Sequence, residues 1–185
     1  MEIEHSSAPS LWEQSACEMD IDYKIFQTYR CRFKNLSSAK SGDFVIIRSN
    51  DWVQVIAETI DHDIVLVRQF RFGSQELSFE LPGGIMDDGE SIIVAARREL
   101  VEETGYTGDE ATIIATLFPN PAIQTNRVYV VHIRDCKRTD ATDFDEFEDL
   151  QTLLYSRDNL IQAVQDGTIS HCITISAISR FLMLE

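Results

Sequence analysis

The chain has 185 residues, of which 16 are lysine or arginine and 31 are aspartate or glutamate, so its formal net charge is −15. Hydrophobic residues make up 44% of it and charged residues 25%, a composition that excludes a disordered acidic tail and indicates a folded globular protein. A surface this acidic repels phosphate backbones and anionic lipids, so we expect neither nucleic acid nor a membrane as partner. A phosphate ligand would need a metal bridge or a local basic patch.

Length and cysteine usage predict one domain in a reducing compartment. We expect a single domain over residues 21–185, preceded by an arm over residues 1–20 that is either frayed or docked elsewhere. The arm lacks the apolar stretch of a secretion signal, and no apolar run approaches the roughly 20 residues that cross a bilayer. The cysteines are scattered without a C-x-x-C pair, and we expect reduced thiols of a cytoplasmic protein at Cys17, Cys31, Cys136 and Cys172.

In the first half of the domain, β-branched and aromatic residues occur in short runs that turn signals separate. These runs predict consecutive antiparallel strands at residues 23–34, 43–48, 52–60 and 64–72. The tripeptide Asp61-His62-Asp63 is predicted to form a hairpin turn. A short strand at residues 77–81 then leads into Pro82-Gly83-Gly84, which discourages helix and regular strand alike.

The second half begins with a helix, predicted over residues 90–104. Apolar residues fall on one arc of this helix, and Gly105 follows as a C-cap. The arc consists of Ile92, Ile93, Ala96 and Leu100. Beyond the helix we expect strands at residues 111–118, 127–133 and 150–155, an acidic loop at 140–149, and helices at 157–165 and 172–184.

Three carboxylates share one face in the C-terminal half of the predicted helix. At about 100° per residue, Glu99 lies about 60° and Glu103 about 100° from Glu102. One explanation is a solvated acidic face. However, the carboxylates lie beside the apolar arc and not opposite it, and the helix dipole disfavours negative charge there by roughly 0.3 to 1 kcal/mol. Mg²⁺, which takes carboxylate oxygens and bridges to phosphates, would offset that cost.

The same segment carries a longer spaced pattern. It reads Gly84, five residues, Glu90, seven residues, Arg98-Glu99-Leu100, one residue, Glu102-Glu103, one residue, Gly105-Tyr106. This pattern resembles the Nudix box. The flanking stretches 67–71 and 80–84, together with Pro121 beyond the box, resemble the ADP-ribose pyrophosphatase branch of that family.

The resemblance implies an α+β protein with the Nudix fold, an α/β/α sandwich around a mixed sheet with an N-terminal antiparallel sheet. It implies hydrolysis of ADP-ribose or a related nucleoside diphosphate sugar into two monophosphates, with Mg²⁺ as cofactor and Mn²⁺ as the alternative ion. Relatives often pair subunits through their N-terminal sheet, which implies a homodimer formed through residues 21–60.

The resemblance also assigns roles to the residues of the box. Glu99 and Glu103 would be the main metal ligands, with the backbone carbonyl of Gly83 as a further ligand. Glu102 would be a metal ligand or the residue that activates water. A structural role falls to Gly84, Glu90, Arg98 and Gly105.

Other positions carry a substrate or base hypothesis beside a structural alternative. Arg71 would reach the substrate phosphates, or is an exposed arginine at a strand end. Trp52 would stack on a base, or is simply packed. Asn126 is a candidate substrate contact in the proline loop, where the chain departs from the wording of the ADP-ribose branch. Glu146 or Glu148, with Glu146 preferred, would act as general base, or both belong to a solvated charge run.

Two alternative functions stay open at this point. One is hydrolysis of another nucleotide, such as GDP-mannose, NADH or a dinucleoside polyphosphate. The other is a non-catalytic, Nudix-like nucleotide-binding regulator, which the intact carboxylates of the box disfavour. The histidines lack metal-ligand spacing, and a structural role is assigned to His62, His132 and His171.

Overall fold

The fold comes from a computed structural model, in which residues 8–144 and 149–184 are described. The chain divides into two compact units. The N-terminal unit comprises Met1–Ser49 with Asn120–Thr125, and the main unit comprises Asn50–Pro119 with Asn126–Glu185.

The N-terminal unit contains an antiparallel sheet in the order β1-β2-β3, formed by β1 (Trp12–Asp22), β2 (Gln27–Asn35) and β3 (Ser41–Arg48). In the register of β1 and β2, Cys17 faces Cys31, and the two form a disulfide. The expectation of reduced thiols is therefore wrong for this pair, because strand pairing brings together two cysteines that are 14 residues apart in sequence.

The main unit is built on a mixed sheet in the order β10-β5-β4-β9-β7, with β6 paired to β5 and β8 paired to β9. Its strands are β4 (Trp52–Thr59), β5 (Ile64–Arg71), β6 (Glu76–Glu80), β7 (Tyr106–Thr107), β8 (Ala111–Leu117), β9 (Val128–Arg138) and β10 (Gln151–Tyr155). Strands β4 and β9 are parallel, and the other pairings described are antiparallel. The helices are α1 (Ile92–Thr104), α2 (Arg157–Gln165) and α3 (Cys172–Leu182). The predicted α+β class, with an N-terminal antiparallel sheet and a mixed sheet, is confirmed.

Apolar residues on both faces of the mixed sheet form two core clusters. Val53 and Val55 of β4 belong to the cluster that includes Ala96 and Leu100 of α1. Ile56, the next residue of β4, belongs to the cluster formed with α2 and α3. Because successive side chains of a strand point to opposite faces, α1 covers one face of the sheet, and α2 and α3 cover the other.

Some element boundaries differ from those predicted, for local reasons. Helix α1 begins at Ile92 and not at residue 90, because Ser91 is its N-cap and accepts a hydrogen bond from the amide of Val94. Strand β9 continues past residue 133 to Arg138, because its polar end pairs with β7. The hairpin turn between β4 and β5 is confirmed, and His62 has a φ of 63° there. No helix in the described part of the chain is long and apolar enough to span a membrane.

Candidate active site

Helix α1 carries the acidic residues of the spaced pattern at the edge of its buried face. The helix begins after the N-cap Ser91 and ends at Gly105, whose φ of 73° terminates it. Glu99 and Glu103 are buried, with 9% and 4% of their surface exposed. The side chain of Glu102 keeps 40% of its exposure. Two carboxylates therefore lie in the protein interior and the third at its margin.

Hydrogen-bond donors offset part of this buried negative charge. The backbone N–H of Gly83 donates to Glu103 Oε2 at 2.8 Å. Arg98 donates from Nη1 to Glu99 Oε1 at 2.9 Å and to Glu102 Oε2 at 3.0 Å. One guanidinium group therefore holds two of the three carboxylates next to each other.

The same guanidinium ties α1 to the loop that precedes it. Arg98 donates from Nε and Nη2 to the two oxygens of Glu90, each at 3.0 Å, and from Nη2 to the Ile85 carbonyl at 3.2 Å. The hydrogen bond to Glu90 raises the pKa of Arg98, although burial acts in the opposite direction. In return, the hydrogen bond from Arg98 lowers the pKa of Glu90. The ion pair of Arg98 and Glu90 therefore connects the loop to the helix.

The loop over residues 82–84 runs beside β4 and determines which way its carbonyls face. The carbonyls of Pro82 and Gly84 accept hydrogen bonds of 2.8 and 2.9 Å from amides of β4. Neither of these bonds goes to the carbonyl of Gly83, which lies between the two acceptors in the sequence. The N–H of Gly83 faces Glu103. Gly83 has a φ of 151°, and a Cβ there would lie 2.1 Å from the Val53 carbonyl oxygen, so this position requires glycine.

The donors in this region fit a hard divalent cation. Glu99, Glu103 and the Gly83 carbonyl offer oxygen ligands, which Mg²⁺ prefers. Within residues 8–144 and 149–184, no three acidic, cysteine or histidine side chains are already gathered into a metal site. Arg98 donates to one oxygen of Glu99 and to one oxygen of Glu102. Mg²⁺ keeps several waters and needs only one or two carboxylates, so a dense cage is not required.

A cavity of about 740 Å³ opens beside these residues, a volume suited to a small-molecule ligand. Its acidic wall is formed by Glu99, Glu102 and Glu103 with Gly83 and Gly84. The other polar and aromatic side chains that line it include Arg71, Gln69, His171, Trp52, Asp143 and Phe144. Anionic and cationic groups therefore share one cavity.

Arg71 lines the cavity from the end of β5, and a buried carboxylate orients it. It donates from Nε to Glu80 Oε1 at 2.8 Å and from Nη2 to Glu80 Oε2 at 2.7 Å. The side chain of Glu80 is 1% exposed, whereas that of Arg71 keeps 47%. Burial acts to raise the pKa of Glu80, but the hydrogen bond and the charge of Arg71, with smaller contributions from His171 and Ser78, outweigh it and lower the pKa. Glu80 is therefore an anion that orients an accessible cation.

The other predicted contact residues lie in different places. Trp52 lines the cavity, and its indole Nε1 is buried without a hydrogen-bond partner among the residues described. Asn126 is 2% exposed, its side-chain amide has no partner in the described ranges, and it is not among the described residues that line the cavity. Glu146 and Glu148 lie outside the described residues. The structure thus brings Trp52 and Arg71 together with the acids, and not Asn126.

Asp143 and His171 are among the cavity residues that sequence reasoning did not assign to the site. Asp143 lies in the acidic loop, and its backbone N–H donates to the Glu102 carbonyl at 2.9 Å. Its place in an acidic run directly after β9 was the only available signal. His171 precedes α3, and its ring lies 3.6 Å from Glu80. No local pattern marks His171, because Glu80 is distant in sequence.

Comparison with known proteins identifies the family to which this fold and site belong. The NUDIX domain model matches residues 51–170, more than half of the chain, so the chain belongs to the Nudix family and is a hydrolase. It is 27% identical over 151 residues to the ADP-ribose pyrophosphatase of Bacillus subtilis (strain 168), a match that covers 81% of each chain. It is 28% identical over 141 residues to the methanol dehydrogenase activator of Bacillus methanolicus, which covers 76% of each.

A solved structure shows the same fold. The crystal structure of an ADP compounds hydrolase superposes with a TM-score of 0.84, over 97% of this chain and 96% of that chain. The sequence identity is 19%, so this likeness concerns the fold alone.

Proposed function

We propose that this chain is a Mg²⁺-dependent pyrophosphohydrolase that cleaves ADP-ribose or a related nucleoside diphosphate sugar into two monophosphates. The observation that carries the proposal is one cavity lined by the buried carboxylates of Glu99 and Glu103 and by the oriented cation of Arg71. The substrate class is supported by a relative named ADP-ribose pyrophosphatase that matches most of the chain.

The metal would be held by carboxylates of α1 and by the loop before it. Glu99, Glu103 and the carbonyl of Gly83 are the proposed ligands, with Glu102 as a further ligand or as proton acceptor. Bound there, Mg²⁺ or Mn²⁺ would neutralise charge on the diphosphate and lower the pKa of a water molecule. The position of Gly83 supports this assignment, because its N–H donates to Glu103 and the amides of β4 bond to the carbonyls on either side of it.

The chain's own residues would bind the substrate and move a proton. Arg71 would donate hydrogen bonds to phosphate oxygens, and Glu80 would keep its guanidinium oriented for that task. Glu102 or Glu146 would accept the proton of a water that attacks one phosphorus, while the bond from that phosphorus to the bridging oxygen breaks. Each product then carries one phosphate. Trp52, which lines the cavity, is the proposed contact to the base. Asn126 is buried outside the described lining of the cavity, so it is not kept as a substrate contact.

A homodimer formed through the N-terminal sheet is part of the proposal. Large apolar side chains of this sheet are exposed in the single chain, among them Trp12, Phe44 and Val45 at 44%, 47% and 56%. Burying such surface between two subunits would be favourable. A size measurement in solution that found a fully active monomer would refute this part.

We also propose a cytoplasmic location, which rests on the sequence alone. The Cys17–Cys31 disulfide argues against a fully reduced set of thiols. Rapid alkylation of the thiols in intact cells, followed by mass spectrometry of the purified protein, would show whether this pair is oxidised there.

A substrate panel tests the activity. ADP-ribose, other ADP-sugars, GDP-mannose, NADH and dinucleoside polyphosphates are incubated with Mg²⁺, and released AMP, GMP or phosphate is scored. Glu103→Gln should lower the rate at least about a hundredfold, the scale expected when a directly charge-stabilising group is removed. Glu110→Gln is the matched control, because the side chain of Glu110 is 75% exposed. Retained activity of Glu103→Gln would remove the metal-site assignment.

A regulatory role is the second candidate, because one relative is named an activator of another enzyme. Under this alternative the chain binds nucleotides of the panel and hydrolyses none of them. Turnover of any one of them by the wild type, lost in Glu103→Gln and kept in Glu110→Gln, would exclude a purely non-catalytic role.

A further inference from the structure

His171 lies at the start of α3 and lines the cavity. Its ring contacts residues other than the backbone amides that an N-cap side chain usually binds. It is the N-cap residue of α3, yet its side chain makes no capping hydrogen bond. Instead, Nδ1 lies 2.9 Å from Thr174 Oγ1 and 3.6 Å from Glu80 Oε2. The side chain is 27% exposed and lines the cavity. Its position therefore links the cavity to the buried carboxylate that orients Arg71.

The contacts of Thr174 favour one of the two neutral tautomers of the ring. The Thr174 hydroxyl oxygen lies within reach of two donors, the Leu81 amide at 3.3 Å and Gln54 Nε2 at 3.4 Å. Its single proton can go to His171 Nδ1 at 2.9 Å or to Gln54 Oε1 at 3.5 Å, and the shorter contact is favoured. When Nδ1 accepts this bond, a neutral imidazole carries its proton on Nε2.

The charges around His171 favour the neutral ring. Burial lowers the pKa of His171, the carboxylate of Glu80 acts to raise it, and the cation of Arg71 acts to lower it. The net direction is downward, so the ring is neutral near pH 7. Glu80 already accepts two short hydrogen bonds from Arg71, and its 3.6 Å separation from Nδ1 is too long for another. His171 is therefore a neutral donor beside a cationic one.

We propose that His171 contacts the substrate by donating a hydrogen bond from Nε2 to an oxygen of the diphosphate, next to the guanidinium of Arg71. This inference rests on the proposed function for the identity of the ligand. Glu80 orients Arg71, Thr174 contacts the ring of His171, and both donors line the cavity that the acids of α1 share. An anionic oxygen is the acceptor that such a pair of donors recognises. Thr174 is the positioning residue, because its hydroxyl contacts Nδ1 at 2.9 Å.

Two substitutions separate this role from a structural one. In His171→Asn the side-chain oxygen can take the place of Nδ1, accept from Thr174 and remain a favourable N-cap residue, but the donor at Nε2 is lost. In His171→Gln the amide N–H can reach the place of Nε2, while the bond to Thr174 is lost. If His171 contacts the substrate, His171→Asn should weaken substrate binding more than His171→Gln does. If His171 only supports α3, His171→Gln should have the larger effect.

The probe is inorganic pyrophosphate in Mg²⁺ buffer, and its affinity is measured by calorimetry. The KM of the best substrate of the panel is measured for the same variants. His171→Asn should weaken both roughly ten- to hundredfold, the scale of a lost hydrogen bond to a charged group. His171→Gln should stay within about threefold of the wild type. Thr174→Val should weaken binding less than His171→Asn does, and ¹⁵N spectra of the wild-type imidazole should show the proton on Nε2.

Each outcome decides the matter. Wild-type affinity of His171→Asn, equal losses in Asn and Gln, or a wild-type proton on Nδ1 would each overturn the assignment. A wild type that binds no pyrophosphate would overturn it as well. A wild type that binds pyrophosphate through His171 but hydrolyses nothing in the panel would refute the proposed function and leave the assignment standing.

Discussion

Gly84 and Glu99 lie so close together that a Cβ on residue 84 would be 2.6 Å from Glu99 Oε1 and 2.7 Å from its Oε2. The backbone of one residue thus limits where the carboxylate of the other can be. Because Glu99 is 9% exposed, its side chain has little room to move aside. The glycine therefore supports the proposed metal ligand through its lack of a side chain.

Gly84→Ala should displace the Glu99 carboxylate and weaken metal binding while the fold is kept. We expect the Mg²⁺ concentration for half-maximal activity to rise roughly ten- to hundredfold, as for other changes that misplace a metal ligand. Gly73→Ala is the matched control, because a Cβ at Gly73 meets nothing within 4 Å. An unchanged Mg²⁺ dependence in Gly84→Ala would speak against Glu99 as ligand.

Mg²⁺ should also stabilise the folded protein in the absence of substrate. A ligand that binds only the native state at a hundred times its Kd adds about 2.7 kcal/mol to the free energy of unfolding. Thermal unfolding of the wild type should therefore show a higher Tm with Mg²⁺ than with EDTA. Glu99→Gln should lose most of this increase and Glu110→Gln should keep it. Equal increases in both variants would mean that the ion binds elsewhere.

The general base can be separated from the ligands by kinetics. If Glu146 accepts the proton from water, Glu146→Gln should lower kcat far more than it changes KM, because the interaction is made only in the transition state. Glu148→Gln is the parallel variant from the same acidic run. If kcat of Glu146→Gln equals that of the wild type, Glu102 or Glu148 becomes the better candidate.

A carboxylate between two histidines makes the stability of the main unit depend on pH. Glu58 Oε1 lies 2.7 Å from His62 Nδ1, and Oε2 lies 2.9 Å from His132 Nε2. The hydrogen bond to Glu58 raises the pKa of the exposed His62 above 6.5. Burial lowers the pKa of His132, although Glu58 opposes that shift.

The pKa shifts of His62 and His132 therefore have opposite effects on how the free energy of unfolding depends on pH. The contribution of His62 is fully present below its unfolded pKa and is lost as the pH rises through the higher folded value. His62→Asn, which tolerates the left-handed φ of 63°, should lower the urea midpoint at pH 5.5 and leave it almost unchanged at pH 9. A midpoint difference that stays constant across this range would show that the ion pair contributes nothing.

Local patterns in the sequence predicted the elements whose packing is local. Helix α1 follows from its apolar arc and from Gly105, and the β4–β5 hairpin follows from alternation around Asp61-His62-Asp63. The arc also placed Glu99 and Glu103 beside the buried face, where the structure has them. Periodicity sufficed there because each signal lies within a few residues of the feature that it predicts.

The features that were missed depend on distant or exposed partners. Strand β1 shows almost no buried residue and carries acidic side chains, so an alternation of apolar and polar residues could not reveal it. It pairs with β2, and this pairing includes an ion pair of 3.4 Å between Arg30 and Asp20. The disulfide of Cys17 depends on the same strand register. The place of His171 depends on Glu80, which belongs to a different part of the chain. Single-sequence patterns do not report such contacts.

The hydrogen bonds between β4 and the loop over residues 82–84 limit insertions and deletions in this loop. Deleting or inserting one residue between Glu80 and Gly84 would put a different carbonyl in each place that now accepts from β4. The N–H of Gly83 would then no longer lie opposite Glu103. The number of residues in this short connection is therefore as strict a requirement as the identity of the carboxylates, and length variation should be tolerated elsewhere in the main unit before it is tolerated here.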